Sequence, residues 1–466
     1  MFSLLKEHKE ENMNLLKTFL DVISSWQPAF SKQTTFNRVR DHAIASICSI
    51  GRHTITNLII WLGNDQKDHT ADYRLYNEYK WNVEDLFNPI LKYTLNYFPD
   101  PYIVVGADDT RIRKTGKKIP GTSWGRDPMS PPFQVNLMWG QRFLQFSSLL
   151  PLYKIYNVGP RAVPIRFIHV PPLKKPGAKA SNEERQNYKE LVKIKNLSTA
   201  FTQEVALLRD QLNKEGCLKK LLMVCDGSFC NKICMNMNIP NVEILARARK
   251  NAKLCFRNHI SPRKTYGEEK FTPEEVRQDE NIPWKTATLY YGGEWRLMRY
   301  KEIPNVLWQS GTKIRSLRLI VLAPIPYVKG GKRNYREPAY LLTTDLEGPV
   351  EFLIQSYLDR WQIEVNFREE KSLLGVGEAQ VWKEKSSARQ PAFRVACYSA
   401  LLLASIITYE DKPPPNYESP KWRKASRNTC RALIGILRSE LLEDPLKIFE
   451  LGLTQPMVAA ILKKAA

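Results

Sequence analysis

The chain has 466 residues, with 70 Lys and Arg against 48 Asp and Glu and a formal net charge of +22. A balance this basic suits a polyanionic partner, of which nucleic acid is the commonest. With 43% hydrophobic and 11% aromatic residues a substantial core can form, which excludes a wholly disordered chain.

Residues 1–95 read as a helical N-terminal domain and a candidate DNA-binding unit. Apolar residues recur at helical spacing in Leu15–Ile23, Ala43–Ile50 and Thr56–Leu62. Thr54 or Thr56 can cap the helix that follows Gly51. The opening MFSLLKEHKEENMN has no apolar run of the signal-peptide kind. The expectation is therefore a cytoplasmic protein, nucleoid-associated in a prokaryote, with its cysteines as thiols. Cys217, Cys225, Cys230 and Cys234 cluster without a CxxC pair, which fits core cysteines better than zinc ligands. Residues 1–100 carry 11 basic and 12 acidic side chains, so the main phosphate contacts are expected elsewhere.

Residues 96–249 change character. Tyr102–Ala107 is a β-branched apolar run that ends at Asp108-Asp109-Thr110, the pattern of a buried strand. Phe133–Trp139 and Arg142–Leu150 read as two strands joined by a turn at Gly140-Gln141. A basic loop at 171–180 precedes one long polar helix, Glu183–Leu212. Lys220–Cys225 is a second buried strand, ending at Asp226-Gly227, and Val242–Ala246 is a third. Residues 101–180 carry 13 basic against 3 acidic side chains and residues 245–320 carry 16 against 8, so the surplus charge flanks the Asp-bearing segments.

Residues 250–346 read as a β-rich insertion, with strand-like pieces at Thr286–Tyr291, Trp295–Tyr300, Ile314–Leu322 and Ala339–Thr344. Residues 347–410 turn helical, through Glu351–Leu374 and Ala388–Tyr409. The apolar stretch Val395–Tyr409 is shorter than the ~20 residues of a membrane span and holds Ser399, Ser405 and Thr408. It is expected to be a buried helix, with no membrane partner. After a Pro-rich linker, residues 411–466 form a helical tail, a candidate for DNA binding or dimerisation. The fold class expected is α/β, with helical regions at both ends.

The chemistry rests on carboxylates. Asp108 and Asp226 each follow an apolar strand, and reactive groups in open α/β sheets gather at carboxyl ends of strands. Two such groups can share a divalent cation, which takes carboxylate oxygens. A third is found on the helix around residue 364. At roughly 100° per residue, with Tyr357 at 0°, Arg360 falls near 300°, Glu364 near 340° and Lys371 near 320°. Glu369 and Glu370 fall off this arc. A carboxylate between two cations can hold a metal while its neighbours grip phosphate.

The spacing Tyr357-x2-Arg360-x3-Glu364-x6-Lys371 resembles the signature of DDE-type insertion-sequence transposases of the IS-four-like group. Asp108-Asp109-Thr110 with the following Lys-Thr-Gly-Lys, and the later strand-Asp-Gly, stand in that group's order over about residues 100–400. Gly-Ser-Phe after Asp226 departs from the group's usual sequence. The resemblance implies a ribonuclease H-like core with a β-domain inserted before the helix that bears the glutamate. It implies Asp108, Asp226 and Glu364 as catalytic residues and ligands of Mg2+, with Mn2+ able to substitute. The group's D-x-[ST] pattern selects Asp108 over Asp109 through Thr110. Tyr357, Arg360 and Lys371 would contact phosphates of the DNA. The implied activity is cut-and-paste transposition: Mg2+-dependent cleavage at transposon ends, then strand transfer into target DNA, by a homodimer in a synaptic complex. The alternatives are a ribonuclease H-like nuclease that cuts without joining, and a non-catalytic DNA-binding protein derived from a transposase.

Lesser features attach to this reading. Lys114 and Lys117 lack the frame of a P-loop and are candidate cations beside the first Asp. Arg247, Arg249 and Lys250 follow a strand and are candidate phosphate contacts. The resemblance allows a tryptophan of the insertion to stack on a flipped base, for which Trp284, Trp295 and Trp308 are the candidates and core packing the alternative. His8, His42, His53, His69, His169 and His259 show no ligand spacing.

Overall fold

A computed structural model of the chain describes residues 14–66, 68–99, 101–127, 130–131, 133–258, 263–414 and 427–443. His8, His259 and most of the C-terminal tail therefore lie outside the described residues. Strands β1 (Tyr102–Arg113), β2 (Ser123–Arg126), β3 (Leu137–Leu150), β4 (Arg161–His169), β5 (Lys220–Cys225) and β6 (Val242–Arg247) come first. They are followed by β7 (Leu254–Arg257), β8 (Tyr266–Phe271), β9 (Lys285–Tyr291), β10 (Glu294–Leu307), β11 (Ser316–Leu322), β12 (Pro326–Lys329), β13 (Lys332–Tyr335) and β14 (Ala339–Thr343). All but β12 and β13 join one mixed sheet, in the order β2-β3-β1-β5-β6-β14-β11-β10-β7-β8, with β4 on β3 and β9 on β10.

The parallel part of the sheet is β1-β5-β6. Its strands are near-continuous apolar runs because both faces are covered, as parallel strands require. β3 and β4 extend it on one side as antiparallel neighbours. On the other side β6 pairs antiparallel with β14, so the β-rich insertion continues the core's own hydrogen-bond ladder instead of standing apart from it.

The longer helices among the described residues are α1 (Leu15–Ser24), α2 (Gln33–Cys48), α3 (Ile55–Trp61), α4 (Thr70–Asn77), α5 (Glu84–Thr94), α6 (Asn182–Ile194), α7 (Leu197–Lys214), α8 (Val350–Asp359), α9 (Trp361–Ser372), α10 (Glu384–Tyr409) and α11 (Cys430–Glu443), with single turns at Leu152–Ile155, Lys232–Met235 and Pro273–Gln278. Thr54 caps α3, its side chain accepting from the Asn57 amide. α10 packs against α1, α2, α4, α5 and β4, so it welds the N-terminal helices to the sheet. Among the described residues it is the one helix long and apolar enough to cross a membrane, but 83% of its apolar window is buried within the molecule, as in a core helix. Glu440 of α11 accepts the free amides of Leu15 and Leu16 at 3.1 and 2.6 Å, placing a carboxylate at the positive end of α1.

Three local expectations are corrected. The expected turn at Gly140-Gln141 is absent: β3 runs straight through. Gly140 lies opposite Arg113, where a Cβ would run into the carbonyl oxygen of Ile112, so its glycine serves close backbone approach. The polar helix from Glu183 is two helices, because Asn196 starts α7 as an N-cap whose side chain accepts from the Thr199 amide. The helix from Glu351 is likewise divided, with Arg360 at the junction of α8 and α9.

Candidate active site

The site grows from strand register. β1 and β5 run parallel, and their last pair is Ala107 with Cys225. Asp108 and Asp226 are the next residue on each, so they stand side by side on strands about 4.8 Å apart. Here β5 ends while β1 continues, held by β3 through pairs such as Asp108 with Gln145. Asp226 opens a turn in which its Oδ1 accepts from the amide and hydroxyl of Ser228 at 2.9 and 2.7 Å.

Successive strand residues face opposite sides, so only one of Asp108 and Asp109 can face α9. It is Asp108. Gly106, Asp108 and Thr110 share the face beneath the helix. A Cβ on Gly106 would lie 2.5 Å from Ile363 Cδ1, so the glycine lets α9 settle onto β1. Two residues on, Arg360 Nη1 donates to Asp108 Oδ2 at 3.2 Å. Two further on, Lys371 Nζ donates to Thr110 Oγ1 at 2.6 Å. Arg360 also donates through Nη2 to Glu364 Oε1 at 3.2 Å, and its guanidinium lies 6.0 Å from the centre of the Tyr357 ring. Arg360 and Lys371 thus meet one short stretch of β1, and Tyr357 and Glu364 gather on Arg360.

Electrostatics here are tense. Burial, and then the neighbouring charge of Asp226, push the Asp108 carboxyl up to about 7, against the pull of Arg360. Burial works against the Arg360 charge, but Asp108 and Glu364 more than offset it and hold the guanidinium above its ordinary value. Asp109 is raised by burial, with Arg142 pulling the other way. Lys371 is lowered, mainly by burial.

The donor set suits a hard divalent cation: three carboxylates, one of them driven toward its neutral form by burial and a like charge. Among the described residues no three His, Cys, Asp or Glu side chains are close enough to hold a metal as they stand. Arg360 takes the bridging place between Asp108 and Glu364. Asp108, Asp226 and Glu364 have the donor chemistry for such an ion, and Arg360 links two of them.

Beside this cluster opens a cleft of about 1540 Å³, lined by Arg247, Tyr290, Arg296, Tyr327, Arg333, Tyr335, Arg336, Tyr357, Arg360, Trp361, Glu364 and Arg427 among others. Six arginines stand in its walls against the three carboxylates Glu337, Asp359 and Glu364, with six aromatic rings beside them. Arg247 is exposed there, with Glu337 at 3.9 Å. Arg249 and Lys250 are exposed but do not line the cleft. Lys117 is exposed, as a phosphate contact needs. Lys114 corrects its expectation: it is 2% exposed and donates to the carbonyls of Gly377 and Ala379 at 2.9 Å each, so it binds the chain to itself. Trp284 is partly buried against the core, with Lys301 and Arg299 over its ring. Trp308 is likewise packed against the core. Trp295 is 50% exposed, edge-on to Tyr153 and Tyr290.

Several cleft residues escaped the sequence. Trp361, half exposed beside Arg360, had no signal beyond its adjacency to the signature. Arg427 reaches the cleft from beyond the linker and donates to Gln362 Oε1 at 2.7 Å, which no spacing announces. The hairpin of β12 and β13 could have been found from Lys-Gly-Gly-Lys between two tyrosines. The sequence matches no protein-family model and no curated protein.

Proposed function

We propose that this protein is a DDE-type DNA transposase, cleaving DNA at transposon ends and transferring the strand into target DNA. One observation carries the reading. Asp108 and Asp226 sit side by side on adjacent parallel strands, and α8 and α9 bring Tyr357, Arg360, Glu364 and Lys371 onto the same spot. The parallel strands β1, β5 and β6 with antiparallel β3 and β4 are compatible with a ribonuclease H-like core. The cationic cleft supports a polyanionic substrate.

In this reading Asp108, Asp226 and Glu364 would hold Mg2+ or Mn2+. Bound there, the metal would favour attack by a water or 3′-hydroxyl and stabilise the leaving oxygen. The chain's own part is positioning and charge. Arg360 is a planar fork suited to two phosphate oxygens, and it passes from Asp108 and Glu364 to the phosphate as DNA enters. Lys371, held on Thr110, and Tyr357, with its hydroxyl pushed up by burial, flank that phosphate. Little covalent chemistry is asked of the protein, so no nucleophilic side chain is needed. By analogy with the group it resembles, the protein works as a homodimer on paired ends.

The test is to incubate the protein, with Mg2+, with DNA carrying the terminal repeats that flank its own gene, beside Asp108→Ala, Asp226→Ala and Glu364→Ala. Wild type is expected to cut and join, and each variant to bind DNA without cutting. A variant that cuts and joins like wild type removes that residue from the site. Cutting without joined product points to a nuclease, and DNA binding without any cutting points to a binding protein.

A further inference from the structure

β12 and β13 stand apart from the large sheet and pair only with each other. Between them Gly330 and Gly331 have φ of 58° and 74°. Two central residues with positive φ make the tight turn whose twist suits a two-residue hairpin. The glycine pair thereby sets the register from Lys329–Lys332 down to Pro326–Tyr335. A two-stranded ribbon is marginal alone, and this one has no buried face to steady it. Tyr327, Val328 and Tyr335 are 39%, 73% and 58% exposed. The ribbon nonetheless forms a wall of the cleft that holds Arg360 and Glu364.

Its charge is all of one sign. Residues 326–336 include Lys329, Lys332, Arg333 and Arg336 and no carboxylate. The pleat sets each arginine on a face with a tyrosine. Arg333 lies over the ring of Tyr335 at 5.5 Å, and Arg336 over that of Tyr327 at 5.6 Å and within 5.9 Å of the Trp361 ring. Among the described residues neither arginine forms an ion pair. An aromatic face limits where a guanidinium can go without consuming its N–H donors. The two forks are therefore steadied and still open to acceptors.

The geometry points to this ribbon as a grip on the backbone of double-stranded DNA, beside the phosphate that the cleft receives. This rests on the reading that the cleft takes DNA. Charge complementarity selects the partner: two braced forks match phosphate oxygens, and a two-stranded ribbon fits the major groove. The rings are already covered by guanidinium, so they are not free faces for the stacking on which unpaired bases depend.

The test is fluorescence anisotropy of the full chain with a labelled duplex and with its single strand, over a salt series, for wild type and Arg333→Ala/Arg336→Ala. Each lost phosphate contact lowers the slope of log affinity against log salt by about 0.9, so the double variant should lose about 1.8. Between about 50 and 200 mM salt, wild type should then lose about 12-fold more affinity for duplex than the variant does. Tyr327→Leu/Tyr335→Leu keeps the charges, and should weaken duplex binding while keeping most of the slope. A double-arginine variant with wild-type slope and affinity overturns the grip. Equal losses on duplex and single strand replace it with a strand-stacking surface. Wild type with no salt-dependent DNA binding overturns the reading of the cleft as well, which the first two outcomes leave intact.

Discussion

Asp108→Asn is expected to make the protein more heat-stable at alkaline pH while ending its chemistry. In the folded chain the Asp108 carboxyl titrates at about 7 instead of 3.8, mainly through burial and the charge of Asp226. The folded state therefore holds this proton longer than the unfolded chain. Its contribution is fully favourable below about pH 4, and stability falls as pH rises from there to about 7. A shift of about 3 units corresponds to ~4 kcal/mol, all of it lost by pH 8. Asparagine keeps the shape and carries no charge to lose. With an unfolding entropy of about 2.1 cal/mol/K per residue, this chain changes by about 1 kcal/mol per kelvin, so the variant should melt ~4 °C higher at pH 8. At pH 5 the gap should narrow to roughly 2 °C. The assay is thermal unfolding of both proteins at the two pH values in EDTA, then with Mg2+. Because a cation between Asp108 and Asp226 relieves the same repulsion, Mg2+ should raise wild type and leave the variant nearly unmoved. A variant melting at or below wild type at pH 8, or an equal Mg2+ shift in both, refutes the crowded-carboxylate account.

Arg360→Lys keeps the charge but cannot span Asp108 and Glu364 or fork onto a phosphate. Cleavage is expected to fall about 100-fold with DNA affinity within a few-fold, and a drop confined to affinity would contradict that role. Lys114→Met leaves the Ala379 carbonyl without its donor and the Gly377 carbonyl with only the long bond from Gln380 Nε2 at 3.4 Å, so calorimetry should show a loss of ~1–3 kcal/mol with an unchanged salt slope for DNA binding. Lys117→Ala, on an exposed side chain, should do the reverse and lower that slope by about 0.9. Gly140→Ala should destabilise the sheet by several kcal/mol, measured by denaturant unfolding, and a neutral result would mean that β1 and β3 can separate freely at Ile112.

The legible elements are those whose signal is local. Tyr102–Ala107 and Lys220–Cys225 are apolar runs, and both lie in strands, because a strand buried on both faces admits almost nothing else; only the second ends at its Asp, whereas β1 runs on through Asp108 and Asp109 to Arg113, held by β3. The spacing of Tyr357, Arg360, Glu364 and Lys371 shows a shared arc even though the helix is divided at Arg360, since the chain stays helical in its backbone angles there. Gly140 misleads for the converse reason. A glycine between apolar runs signals a turn unless one knows that Ile112 lies against it. Lys114 reads as a free cation because the carbonyls that bury it come from 263 and 265 residues away.

By itself, then, the order of amino acids determines which segments become strands and helices and which side chains share a face, because those follow from the period of the backbone. Tertiary structure alone decides that Arg360 bridges Asp108 and Glu364, that Lys114 is a strut, and that Arg427 and the β12–β13 ribbon join the cleft. Each of those outcomes depends on parts of the chain remote in sequence being brought within a few ångströms, and no local period encodes that distance.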